Sequence, residues 1–213
     1  MTKLSILLCA HCPNASYDDL LVKAISSIYE QSYKDYKLFI VLDECWGMTL
    51  SKVKDVITPD TEIIIRNKKD GLARAKNAGL ERINTEYVAF LDADDEYLPG
   101  KLEKQMNFIE NNNVDFLGTL ATIKNKGQIY PSGFSVGQYE THEQIYNRIF
   151  QENIMTHGSM LIRKKALDEL GGYHDVRGME DWDLWQRAIS SGYKFHQLQE
   201  RLYMLTMGTS VER

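Results

Sequence analysis

Cysteine, proline and net positive charge are all scarce in this sequence of 213 residues. The three cysteines, Cys9, Cys12 and Cys45, are an odd and sparse set. They provide no disulfide framework and fit a reducing compartment. Four prolines leave no room for a proline-rich linker, and no repeat or low-complexity tract divides the chain. Lys and Arg number 25 against 30 Asp and Glu, a formal charge of −5. That balance argues against a nucleic-acid partner, because such proteins gather positive charge against phosphates. No apolar run is long enough for a signal core or a membrane span: Met1-Thr2-Lys3 leads straight into only about six apolar residues. The expectation is a cytoplasmic protein. Peripheral contact with the inner face of a membrane, or with a partner protein, stays open, although no basic amphipathic stretch favours it. Glycine-rich phosphate cradles are missing too. Neither GxGxxG nor a P-loop occurs, which removes the usual signatures of dinucleotide enzymes and NTPases.

What is present is an alternation. Leu4 to Cys9 is an almost continuous apolar run, as in a strand buried on both faces. Asp18 to Gln31 carries Leu20, Leu21, Ala24, Ile25 and Ile28 at helical spacing. Strands follow at Lys37 to Leu42, Glu62 to Ile65 and Tyr87 to Leu91. A helix rich in small residues spans Gly71 to Ile83, and Pro99 opens another that runs to Asn111. Beyond it, the pattern gives strands at Val114 to Ile123 and Gly127 to Tyr130 around a turn at Lys124–Lys126, then a helix from Tyr139 to Phe150. A strand at Ser159 to Ile162, helices at Lys164 to Leu170 and Asp181 to Ser191, and a last strand within Phe195 to Met204 complete it. The length suits one domain. The class is α/β, Rossmann-like, with a mixed, mainly parallel central sheet and helices on both faces. Ligands of such sheets lie outside the carboxyl ends of the strands. Ala10–Asn14, Asp43–Glu44 and Asp92–Asp95 all follow strands and should converge on one crevice.

Asp92, Asp94 and Asp95 place three carboxylates within four residues. Their mutual repulsion costs folding free energy unless a cation or strong donors compensate, and Mg²⁺ or Mn²⁺ with oxygen ligands is the natural compensation. A solvated acidic turn capping the next helix explains the motif about as well on its own, and the position after a buried strand tilts the balance towards a site. Near the other end, Asp181 shares a helix face with Leu184 and Trp185, which carries it to the edge of the interior. Asp183 is placed to pair with Arg187 at the surface. Trp185 reads as core, and Trp182 as the better candidate for stacking on a sugar ring. Cys9-Ala10-His11-Cys12 superficially matches a redox or zinc motif, but buried free thiols are the simpler reading.

Four segments, in order, resemble family 2 glycosyltransferases, which have the GT-A fold. They are Leu20 to Tyr33, Gly71-Leu72-Ala73-Arg74-Ala75-Lys76-Asn77-Ala78-Gly79, the stretch Glu86 to Pro99 around Asp92-Ala93-Asp94-Asp95, and Gly171-Gly172-Tyr173 with Glu180-Asp181-Trp182-Asp183-Leu184-Trp185. The resemblance implies a single GT-A domain over 1–213, with a nucleotide-sugar-binding half up to about residue 98 and an acceptor-binding half after it. It implies a metal-dependent inverting glycosyltransferase that moves a sugar from a nucleoside-diphosphate sugar, UDP by default, to a glycan or lipid-linked acceptor. Asp94 would be the principal ligand of a divalent cation (Mn²⁺ or Mg²⁺), and Asp92 would contact the ribose or the metal shell. Asp43 would hold the nucleobase, bordered by Ala10 and His11. Asp181 would be the general base, assisted by Glu180. Asp95, His157 and Trp182 fall on the acceptor side. Arg74 and Lys76 are candidate phosphate partners that read more simply as solvated helix charges.

The sequence departs from the family in two places. After Asp43 comes Glu44-Cys45-Trp46-Gly47 instead of a second Asp with Gly-Ser. The segment Leu202 to Gly208 holds neither of the Arg or His residues expected to grip the diphosphate, and Arg201 or His196 would have to substitute. Two alternatives therefore stay open: a non-catalytic nucleotide-sugar-binding or partner subunit, and a nucleotidyltransferase.

Overall fold

A computed structural model of the chain describes residues 2–68, 71–131, 139–176 and 178–207. A single sheet of nine strands forms the centre, in the order β3-β2-β1-β4-β8-β6-β9-β5, with β7 paired to β6. The first half is the expected alternation. β1 (Leu4–Ala10), α1 (Ala15–Tyr29), β2 (Tyr36–Asp43), α2 (Thr49–Lys54), β3 (Glu62–Arg66), α3 (Leu72–Leu80) and β4 (Tyr87–Asp92) follow one another. β3, β2, β1 and β4 are parallel neighbours. Six of the seven residues of β1 are buried, as required of a central strand covered on both faces.

Alternation along β1 divides the core. Leu4, Ile6 and Leu8 point to one side with Leu21, Ala24, Ile25 and Ile28 of α1. Leu7 points to the other, with Ala73, Ala75 and Leu80 of α3. Small residues let α3 lie close against the sheet: a Cβ on Gly79 would fall 2.4 Å from a Leu7 methyl. α1 starts at Asn14, whose side chain accepts the Ser16 N–H at 3.1 Å.

The second half comprises β5 (Glu96–Tyr97), α4 (Lys101–Asn111), β6 (Phe116–Asn125), β7 (Gln128–Pro131), α5 (His142–Ile149), a 3₁₀ turn at His157–Ser159, β8 (Leu161–Arg163), α6 (Lys164–Glu169), α7 (Glu180–Ser190) and β9 (Phe195–Met207). Here the pairing is mixed. β8 is antiparallel to both β4 and β6, whereas β9 runs parallel to β6. Several boundaries depart from the sequence expectation. Gly127 belongs to the turn rather than to a strand, because Lys126 and Gly127 both have positive φ, +48° and +80°, the backbone of a two-residue hairpin turn. Helix α4 starts after Gly100, which has φ +80°, not at Pro99. Ser159 lies in the 3₁₀ turn, so β8 is shorter than expected. The short elements α2 and β5 carry too few residues to show a period.

Candidate functional site

The carboxyl ends of β1, β2 and β4 bring the three polar segments together. At the end of β2, Asp43 is mostly buried, with an oxygen 3.5 Å from the Arg66 guanidinium at the end of β3. The ring Nδ1 of His11 lies 2.9 Å from the Asp43 carbonyl, and the Ala10 carbonyl accepts from the Cys45 thiol at 3.4 Å. The departure Cys45-Trp46-Gly47 therefore forms a wall. The Trp46 indole N–H donates to buried Asp18 at 2.6 Å, and Leu42, Cys45, Trp46, Leu50, Arg66 and Asn67 line a hollow of about 170 Å³. Cys12 and Cys45 pack into the core on one side of the sheet and Cys9 into the core on the other, so Cys12 and its CxxC neighbour Cys9 are kept apart. All three thiols are free.

At the end of β4 the acidic cluster separates into unlike parts. Asp92 and Asp94 are partly exposed, whereas Asp95 is 4% exposed. Its carboxylate accepts the Tyr203 hydroxyl and the Thr206 N–H, both at 2.7 Å. Burial, then the charges of Asp92 and Asp94, push the Asp95 carboxyl well above its ordinary range. Asp95, expected on the acceptor side, has its polar capacity directed into β9, because Tyr203 and Thr206 return beneath the turn. Tyr203 also receives the Asp92 N–H at 3.4 Å. Gly158 packs flush against the same hydroxyl, where a Cβ would come within 1.8 Å.

The second acidic pair opens α7. Glu180 is buried and pairs with Lys76 of α3 at 3.0 Å, across 104 residues of sequence. Lys76 is itself 3% exposed, with its ammonium 5.1 Å from the centre of the Tyr173 ring. The reading of Lys76 as a solvated charge is thus corrected. The signal that would have found it is its spacing from Ala73 and Gly79, which places it on the face of α3 that packs on the sheet. Arg74, by contrast, is a surface charge 3.7 Å from Asp175. Asp181 is partly exposed and accepts the Asn153 side-chain amide at 3.0 Å and the Trp182 N–H at 2.7 Å. Burial raises its carboxyl above the ordinary value, and the nearby Lys76 charge works against that rise. Asp183 pairs with Arg187 at 2.7 Å as expected, and Trp185 is fully buried. The Trp182 indole N–H is committed to the Ile149 carbonyl at 2.5 Å, leaving only the ring for stacking.

Gly171-Gly172-Tyr173 joins these regions. Both glycines have positive φ, +73° and +72°. The Asn77 side chain of α3 accepts the Tyr173 N–H at 2.9 Å and donates to its carbonyl at 2.8 Å. This double bond fixes Tyr173 against His157, whose Nε2 lies 2.8 Å from the tyrosine hydroxyl. His157 is buried beside Asp92, 3.9 Å from its carboxylate, on the strand-end side of the crevice. His196 is excluded as a diphosphate partner. It stacks on Phe108 at the start of β9, ten residues before Thr206 and so roughly 30 Å up the strand from the acidic turn. Arg201 donates to the Ala121 carbonyl at 2.9 Å.

The glycosyl transferase family 2 model matches residues 9–171. An uncharacterized glycosyltransferase of Methanocaldococcus jannaschii is 33% identical over 85% of the chain and 64% of its own length. The putative glycosyltransferase EpsE of Bacillus subtilis is 32% identical over 86% of the chain and 66% of its own length. The chain thus spans a little under two thirds of these two relatives. Among solved structures, S. aureus TarS in complex with UDP-GlcNAc superposes with a TM-score of 0.76 at 16% identity, over 98% of this chain and 60% of that one. The mannosyltransferase PcManGT from Pyrobaculum calidifontis, in complex with GDP-Man and Mn²⁺, gives 0.72 at 16% identity, over 99% and 58%. The α/β class and the GT-A architecture expected from the sequence are borne out.

Proposed function

Because the chain belongs to glycosyl transferase family 2, we propose that it transfers a sugar from a nucleoside-diphosphate sugar, UDP by default, to a hydroxyl of a glycan or lipid-linked acceptor, with inversion and with Asp181 as base. The observation that carries this reading is the division of the two acidic clusters. Each has one buried, internally satisfied member, Asp95 or Glu180, and partly exposed members, Asp92 with Asp94 or Asp181, at the crevice.

A divalent cation fits the carboxylates at the end of β4. Among the described residues no group of three or more His, Cys, Asp or Glu side chains is placed to hold a metal alone. With Asp95 turned inward, Asp92 and Asp94 remain as two hard oxygen donors. That suits an ion which completes its coordination with substrate phosphates and water. When bound, such an ion supplies charge stabilisation to the departing diphosphate. The remaining work falls to the chain itself. Asp43 and the wall at Cys45-Trp46-Gly47 receive the base, bordered by Ala10 and His11. Asp92 orients the ribose. Asp181 takes the proton of the acceptor hydroxyl as it attacks the anomeric carbon. Its elevated affinity for a proton suits that task, and Glu180 holds nearby the Lys76 charge that works against a further rise. The ring of Trp182 offers a stacking face to the acceptor. Residues up to about 98 form the donor half and the rest the acceptor half.

Among the described residues no helix is long and apolar enough to cross a membrane. A cytoplasmic location, with peripheral contact at the membrane or with a partner, accords with the acidic, cysteine-poor sequence. Calorimetry with UDP, GDP and CMP, with and without Mn²⁺, tests the donor site. A screen of nucleotide-sugar hydrolysis in Mn²⁺ then identifies the sugar without knowledge of the acceptor. Failure to bind any of the nucleotides would sink the reading. Binding without turnover, unaffected by Asp181→Asn, would favour a non-catalytic subunit.

A further inference from the structure

His157 holds a buried polar atom that the chemistry above leaves unused. Its ring is fixed on three sides: Phe90 with centroids 4.8 Å apart, Tyr173 at 5.6 Å, and Trp185 stacked at 6.0 Å. Nε2 meets the Tyr173 hydroxyl at 2.8 Å, while Nδ1 is buried without a hydrogen-bond partner and points at Asp92 Oδ1, 3.9 Å away. In a neutral imidazole one nitrogen carries the proton and the other a lone pair. The two tautomers are not equivalent here. If Nε2 held the proton, the Nδ1 lone pair would face a carboxylate across a low-dielectric gap, and the Tyr173 hydroxyl would need another acceptor. If the Tyr173 hydroxyl donates to Nε2, the proton sits on Nδ1 and faces the carboxylate favourably.

We propose that His157 is a positioning residue for Asp92: Tyr173 fixes it as the Nδ1–H tautomer, and that N–H sets the orientation of the Asp92 carboxylate towards the nucleotide diphosphate and its cation. The ligand named here rests on the functional reading above. The main chains on both sides are tied to one atom. The Asp92 N–H donates to the Tyr203 hydroxyl, and Gly158, the residue after His157, packs flush against that hydroxyl. The backbones are therefore held, and closing the gap takes a rotation of the Asp92 side chain. A separation of 3.9 Å must shorten by roughly 1 Å to become a hydrogen bond. Loading of the site supplies the occasion, because a cation or ribose bound to one carboxylate oxygen leaves the other to accept from His157. Partners of this kind orient metal-binding carboxylates and are worth a factor of about 10 to 100 in affinity when removed.

Two readouts test this. In the unliganded protein, ¹⁵N shifts of the imidazole report the tautomer directly. The expected result is Nδ1–H in the wild type and a mixed population in Tyr173→Phe, which removes only the hydroxyl. Calorimetry with UDP and Mn²⁺ is expected to show about tenfold or greater weakening in Tyr173→Phe and His157→Gln, whose amide sits near Nε2. His157→Asn, whose amide sits near Nδ1, should restore most of the affinity. An Nε2–H tautomer in the wild type would overturn the proposal. So would unchanged UDP affinity in folded Tyr173→Phe, or a defect confined to the acceptor KM. If the wild type binds no nucleotide at all, the functional reading fails and not this hydrogen bond, and the tautomer measurement then decides the pairing by itself.

Discussion

The two acidic clusters differ in what compensates their buried member, and that difference separates chemistry from architecture. Asp95 is satisfied by neutral donors, the Tyr203 hydroxyl and the Thr206 N–H, and remains under pressure from two neighbouring aspartates. Glu180 is satisfied by a full charge, Lys76, brought from a distant helix. In the strand-end cluster, then, no full positive charge answers the buried member. The helix-start cluster has a counter-charge built in at its buried member, and the same Lys76 charge works against the rise of the Asp181 carboxyl. On the proposed function, one patch binds the charged donor and the other moves a proton.

The largest effects are expected from neutralising the two members of the second cluster one at a time. Asp181→Asn is expected to lower the transfer rate by about 10²- to 10⁴-fold while UDP binding and thermal stability stay near wild type. Full retention of rate would remove Asp181 as base. Glu180→Gln should do the reverse in kind: Lys76 is left buried without its counter-charge, and chemical denaturation should report a loss of about 3 kcal/mol. A loss below about 0.5 kcal/mol would mean that the Lys76 pair is not what fixes the start of α7.

The first cluster allows a gentler contrast. Asp95→Ala leaves the Tyr203 and Thr206 donors unsatisfied and should cost about 1–3 kcal/mol, whereas Asp94→Asn, partly exposed, should shift stability by less than about 0.5 kcal/mol. Equal losses in thermal unfolding would erase the distinction between them.

A third buried charge sharpens the point. Lys101 is completely buried, bonded to Gln105 at 2.7 Å and lying over the Tyr97 ring, with no carboxylate partner among the described residues. Burial holds its ammonium well below the ordinary 10.5. As pH falls below 10.5 the unfolded chain takes up a proton that the folded chain refuses, so stability declines until the folded pKa is reached. Wild-type stability should therefore rise from neutral pH towards 10.5, with Lys101→Met more stable at pH 7 and flatter over that window. Parallel curves would show that Lys101 keeps its charge. The smallest expected effect is in the pH–rate profile. Its acid limb should lie above the ordinary carboxylate value for Asp181, 3.8, and disappear in Asp181→Asn.

The parts of the fold legible in the sequence were those with a period. β1, β2 and β4 are nearly unbroken apolar runs, and α7 carries Leu184 and Trp185 beside Asp181. α2 and β5 are too short to show one, and β9 outran its expected end because Thr206 is held by Asp95, a contact across 111 residues. The acids of the site were visible as a cluster at a strand end. Their division was not, because it depends on which partners arrive from far away: Tyr203 under Asp95, Lys76 beside Glu180, Tyr173 behind His157. Lys76 was half-visible, since its face of α3 is otherwise made of small residues, while the commitment of the Trp182 indole to Ile149 left no local trace.

Calorimetric titration of UDP, with and without Mn²⁺, into Asp94→Asn and Asp95→Asn side by side decides whether the two aspartates have separate roles. Asp94→Asn is expected to lose the metal-dependent gain in affinity, and Asp95→Asn to retain it despite a lower melting temperature. Retention of the metal-dependent gain in Asp94→Asn, with its loss in a folded Asp95→Asn, would contradict that assignment.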